Sequence, residues 1–164
     1  MTRDEALAIY RPMRASVPGV LGTAIRSCGR ADIMRAAKHI GLWTEDGPIT
    51  DLPGAVEMLS DVALFEPNQR GRRAYDPFLS KRAAQLGAAE RALAERMAGA
   101  FFSLFRNAGP HEAAGIWLED LLAGDRRLWL MDGTLEVAAT ESMTFGLRVR
   151  HRAVPRRIRD RRAG

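Results

Sequence analysis

The chain changes its repeat length near Gly99, and no other feature limits its possible folds as much. Before that glycine, apolar residues recur every three or four positions. After it they recur at every second position. The first spacing draws one stripe along a helix, and the second places alternate side chains on opposite faces of a strand. Helices followed by strands predict an α+β fold, in which helices and an antiparallel sheet are segregated along the chain. We expect an N-terminal helical half packed on a small C-terminal antiparallel β-meander or partly closed barrel. The expected organisation is a helical region over residues 1–98, a β-module over 99–155 that shares its core with the helices, and a basic disordered tail over 156–164.

In the first half, Thr2-Arg3-Asp4-Glu5 has the capping-box form, with Ala6, Leu7, Ile9, Tyr10 and Met13 striped behind it. Pro12 predicts an end or a kink, residues 16–22 predict a break, and a second short helix is expected over 20–27. Asp32 opens a third helix that Gly41 ends. Asp46-Gly47-Pro48 is turn chemistry. Asp51 with Pro53 predicts the start of a fourth helix, whose apolar face is Val56, Leu59, Val62 and Ala63. Another short helix is expected from Tyr75. The alanine-, glutamate- and arginine-rich run 88–99 reads as the strongest helix, with Leu86, Leu93 and Met97 inward.

Five strands are expected beyond Gly99: residues 100–107, 115–121, 127–132, 134–139 and 143–149. Aromatic density favours strand over helix for the first. Asp132-Gly133 between two apolar runs predicts a two-residue hairpin. In the last run Met143, Phe145, Leu147 and Val149 alternate with Thr144, Gly146, Arg148 and Arg150, so one face is core and the other solvated. Trp117 and Trp129 fall on neighbouring strands and are assigned to the core or to helix–sheet packing.

The charge is unevenly placed. Residues 147–164 carry eight arginines and Asp160, a net +7, while the other 146 residues carry 17 basic against 19 acidic groups, a net −2. Arg148, Arg150, Arg152, Arg156, Arg157 and Arg159 are therefore the candidate nucleic-acid-binding residues, through phosphate neutralisation. No aromatic residue follows Phe145 except His151, so stacking partners are scarce in that stretch. The competing readings are a solvated end in an arginine-biased chain, where only Lys38 and Lys81 are lysine, or a reading frame that slips after about residue 148.

Other candidate motifs fail on geometry. Ala37 and Gly41 have helix-turn-helix spacing, but glycine and two prolines follow where a recognition helix should begin. His111-Glu112-Ala113-Ala114-Gly115 begins like a zinc-protease motif and has glycine where the second histidine belongs, so His111 is assigned to a loop. Cys28 lies between Arg26 and Arg30, which would lower a thiol pKa, but a packed apolar role is preferred. Glu119 and Asp120 are adjacent on a strand and point to opposite faces, so they form no dyad. One cysteine rules out an intrachain disulfide and a cysteine zinc site. No catalytic residue, metal ligand or cofactor is assigned.

The sequences 90–106, 115–132 and 144–149 together resemble a group of uncharacterised bacterial proteins with a helical N-terminal half and a small β-module. Their SLF…DLL.G signature is carried here by Ser103, Leu104, Phe105, Asp120, Leu121, Leu122 and Gly124. The resemblance covers residues 30–150, and its motifs are structural. It implies the fold and no activity. Those proteins end in ordinary strand sequence where this chain carries arginines, which counts towards a dispensable tail.

Asp4 and Glu5 interrupt the start where a signal peptide needs an apolar run, and no window reaches the roughly eighteen apolar residues of a membrane span. The expected function is therefore that of a cytoplasmic, non-enzymatic module that binds an unidentified protein or itself, or regulates. The first alternative is nucleic-acid or anionic-surface binding through the arginine-rich end. The second is a small enzyme using Cys28 or a helix–sheet pocket.

Overall fold

A computed structural model of the protein describes residues 1–124 and 126–149. The fold is α+β, and the chain divides into two compact units, Met1–Ala98 and a second that begins at Gly99. The first unit holds helices α1 (Arg3–Arg26), α2 (Arg30–His39), α3 (Ala55–Phe65), α4 (Tyr75–Lys81) and α5 (Ala88–Ala98). A small hairpin, β1 (Trp43–Thr44) with β2 (Gly47–Pro48), joins α2 to α3.

Helix α1 opens on the expected capping box: Thr2 Oγ1 accepts from the Glu5 amide at 3.3 Å, and the Thr2 amide donates to Glu5 Oε2 at 2.7 Å. It then runs unbroken through Pro12 and Pro18, where the sequence predicts a break and a second helix. Packing explains the difference. Val20 and Ala24 are fully buried against Leu64, Phe65, Tyr75, Phe78 and Leu93, and Val17, Leu21 and Ile25 pack around them. An interior proline costs ~3 kcal/mol, while each large apolar side chain that is buried contributes roughly 1.5–3 kcal/mol. Val20 is fully buried and Val17, Leu21 and Ile25 are partly buried on the same stripe, and together they offset the two prolines.

Gly41 ends α2 with φ +73°, as expected. Helix α3 begins at Ala55 rather than at Asp51: its N-cap is Gly54 at φ +77°, and Val56 on the expected apolar face is half exposed. Two arginines close helix ends. Arg35 donates to the carbonyls of Ala63 and Glu66 at 3.5 and 3.2 Å, and Arg73 donates to the Ala98 carbonyl at 2.8 Å while pairing with Asp76 at 2.6 Å. Cations on these carbonyls satisfy orphan acceptors and the helix dipole together.

The second unit holds β3 (Phe101–Pro110), β4 (Ile116–Asp120), β5 (Arg127–Leu130), helix α6 (Gly133–Ala138) and β6 (Thr144–Val149). All pairings are antiparallel and the order is β5-β4-β3-β6. Four strands therefore form an open sheet rather than the expected five-stranded meander or partly closed barrel. The difference lies at residues 134–139, expected as a strand and helical over most of their length. Asp132 does not turn a hairpin; its Oδ1 accepts from the amides of Thr134 and Leu135 at 2.9 and 3.0 Å and caps α6. Leu135 and Ala139 then pack on the sheet core. With α6 interposed, β6 returns along the free edge of β3.

One face of this sheet carries the core: Phe105, Ile116, Leu118 and Leu128 are buried, with Phe145, Leu147 and Val149 packed around them. Asn107 ties the return loop to β3, donating to the Thr140 carbonyl at 2.9 Å and accepting from the Gly109 amide at 3.0 Å. No described helix is long and apolar enough to cross a membrane.

Candidate functional site

Strand alternation that buries Ser103, Phe105 and Asn107 sends Phe102, Leu104 and Arg106 to the opposite, outer face. Register extends that face across the sheet. Arg106 pairs with Glu119 on β4 and Thr144 on β6, Glu119 with Arg127, Trp117 with Trp129, and Phe102 with Arg148. Phe102 is 50% exposed, Leu104 39% and Trp129 36%. Of the two placements expected for Trp117 and Trp129, this corrects the one in the sheet core, because both lie on the face turned away from it.

The two ends of the face are built differently. At one end the Phe102 ring reaches over Gly146: a Cβ on that glycine would stand 2.9 Å from Phe102 Cζ. The absence of a side chain is what seats the ring. At the other end His111 stacks on Trp129, with centroids 4.1 Å apart and planes 8° from parallel, and tilts against Trp117 at 4.6 Å. His111 Nδ1 accepts from the Ala113 amide at 3.0 Å, and Trp129 Nε1 donates to the Ala114 carbonyl at 2.6 Å. The loop residue expected from sequence is thus a packed one. Glu112 beside it is held below the usual carboxylate range by its own backbone amide first, then by Trp117, His111 and Arg127.

Arg127 lies over Trp117 at 5.3 Å from the ring centroid, and Arg106 pairs with Glu119 at 2.5 Å. Arg148 brings the first of the candidate arginines onto this face, opposite Phe102. Arg150, Arg152, Arg156, Arg157 and Arg159 lie outside the described residues, as does the tail expected over 156–164. Sequence reading missed the surface formed by Phe102, Leu104, Arg106 and Trp129. The available signal was that residues 101–105 are apolar in both strand phases, so one phase had to face away from the core.

On the core side, the Asp120 carboxylate is buried and fully engaged. It accepts from Ser103 Oγ at 2.5 Å, from the Leu122 and Ala123 amides at 3.1 Å each, and from the Arg126 guanidinium. Burial raises its pKa, but hydrogen bonds from Ser103, Arg126, Ala123 and Leu122 outweigh that and hold it at about 2. Arg126 also lies 4.3 Å from the Phe101 centroid. Both carboxylate oxygens are occupied by donors of the chain itself.

Cys28 is half-buried against the α1 core cluster. Burial, with Asp32 adding and Arg35 opposing, pushes its thiol up to about 11. The lowering expected from Arg26 and Arg30 does not occur, and Arg26 is turned to Thr23 Oγ1 at 3.1 Å. His39 is exposed at the far end of α2, and a rise of ~1.5 Å per residue separates the helix ends by about 14 Å. A shallow cleft of about 290 Å³ opens between α2 and the hairpin, lined by Arg30, Ile33, Trp43, Glu45, Asp46 and Pro48. Among the described residues no three His, Cys, Asp or Glu side chains cluster as metal ligands.

No curated protein and no solved structure matches the chain. A family model does match, over residues 4–152, so the match includes Arg148, Arg150 and Arg152 and leaves out Arg156 to Arg162. That span reaches both units and nearly the whole chain, and the protein belongs to the family of unknown function DUF7986.

Proposed function

We propose that the protein is a non-enzymatic binding module whose working surface is the outer face of its C-terminal sheet. One observation carries this reading. A sheet face whose reverse holds the core exposes Phe102, Leu104 and Trp129 together with arginines. Exposed aromatic and arginine side chains on a rigid sheet are the composition of an interaction surface. The chemistry of the most reactive groups supports the absence of enzymatic activity: the Cys28 thiol is held protonated at neutral pH, and the Asp120 oxygens are all bonded.

Carbene footprinting tests the reading whatever the partner. Purified full-length protein should be labelled at Phe102, Leu104 and Trp129, and the same residues should be protected in extract of the cells that produce it. Ile9 and Val56, exposed on helices, serve as reference positions and should label equally in both. Equal labelling of the sheet face in both conditions counts against it.

A further inference from the structure

We infer that the outer face of the C-terminal sheet holds single-stranded nucleic acid; the inference rests on the reading of that face as the binding surface. Bases without a pairing partner present two bare π faces, and an immobilised aromatic side chain on a sheet is a stacking platform for them. Phe102 has that form. Its ring is seated over Gly146, and half of the residue remains open to solvent. Its cross-strand partner on the same face is Arg148, whose guanidinium is of the kind that pairs with phosphate.

Trp129 supplies a second aromatic station at the opposite end. Register places it about six residues along the strand direction from Phe102 and two strands across, or about 20 Å by about 10 Å at ~3.3 Å per residue and ~4.8 Å per strand. Between the stations lie Arg106, whose side chain is 49% exposed beside Glu119, and Arg127. Arginines interleaved with aromatic stations on one face favour an extended polyanion with stackable groups. A duplex hides its base faces, so the same surface would meet only its backbone. A protein partner would use Leu104 and Trp129 but has no need of an arginine opposite Phe102 and another over Trp117.

Fluorescence anisotropy with the full chain tests this, using short labelled oligothymidylate and oligouridylate, a duplex of equal length, and heparin, over a salt series. Both single strands should bind more tightly than the duplex, with affinity falling as salt rises. Phe102→Ala and Trp129→Ala should each weaken single-strand binding at least about tenfold, whereas Phe102→Tyr, which keeps the ring, should restore it. Arg148→Gln should reduce the salt slope by about one. Gly146→Ala, which displaces the Phe102 ring, should weaken binding while thermal unfolding stays cooperative. If the aromatic variants bind like the parent, or heparin competes equally with all of them, the binding is that of a polycation and the inference fails. If neither oligonucleotide binds while footprint protection persists in nuclease-treated extract, the face serves a protein: the inference fails and the binding-module reading survives. Loss of both signals overturns both.

Discussion

Ser103 donates its hydroxyl proton to the Asp120 carboxylate at 2.5 Å, joining β3 to the end of β4. These are the first residues of the two halves of the SLF…DLL.G signature. The same carboxylate receives the Leu122 and Ala123 amides and so shapes the turn that leads to β5, while Arg126 supplies the compensating charge. A buried carboxylate is tolerated only with this many donors. The two halves of the signature thus meet in one hydrogen-bond network.

That network predicts an acid-sensitive second unit. The Asp120 pKa is depressed in the folded protein, from 3.8 to about 2, so its contribution is complete above about pH 4 and is lost as pH falls towards 2. Ser103→Ala should cost about 1–3 kcal/mol at neutral pH. Urea unfolding between pH 2 and pH 7 followed by Trp117 and Trp129 fluorescence checks both points. Asp120→Asn should flatten the acid limb, and an unchanged limb would remove Asp120 as its cause.

Gly115 should tolerate no side chain. Its φ is +76°, and a Cβ would lie 2.2 Å from the Leu130 carbonyl oxygen. Gly115→Ala must therefore separate β4 from β5, at a cost of at least about 2 kcal/mol. Gly124, with φ +56° and open space around it, is the internal comparison. Gly124→Ala should cost only about 1 kcal/mol. Equal melting temperatures for the two variants would contradict the close approach.

Pro12 is exposed within α1 and lies outside its buried stripe. Replacing it with alanine restores a backbone donor in mid-helix. Pro12→Ala should stabilise the first unit by ~1–3 kcal/mol. Amide exchange along α1 would show the gain as slower exchange around residues 8–16. Unchanged or faster exchange there would mean the helix accommodates the proline at no cost.

The thiol of Cys28 should be sluggish. With a pKa of about 11 against an ordinary 9.0, its thiolate fraction at pH 8 is lower by about a hundredfold, and alkylation by iodoacetamide should slow in proportion. The rate should keep rising through pH 10. A plateau near pH 9 would restore Cys28 as a reactive group.

The division into helices and strands was legible from residue spacing, because the period of a run of apolar side chains reflects only its own backbone geometry. The capping box at Thr2, the Gly41 stop, helix α5 and strand β6 all follow from neighbours within four residues. Pro12 and Pro18 misled for the same reason: locally they break a helix, and the burial that overrides them comes from Phe65, Tyr75 and Leu93, far along the chain. Asp132-Gly133 is ambiguous locally, being both a hairpin turn and a helix cap. Packing of Leu135 against the sheet settled it and sent β6 to the far edge of β3. That placement set Arg148 opposite Phe102, and the pairing of β4 with β5 put two tryptophans on the face turned away from the core. No short-range pattern carries such information, since the register between strands depends on contacts that close only when the whole sheet assembles.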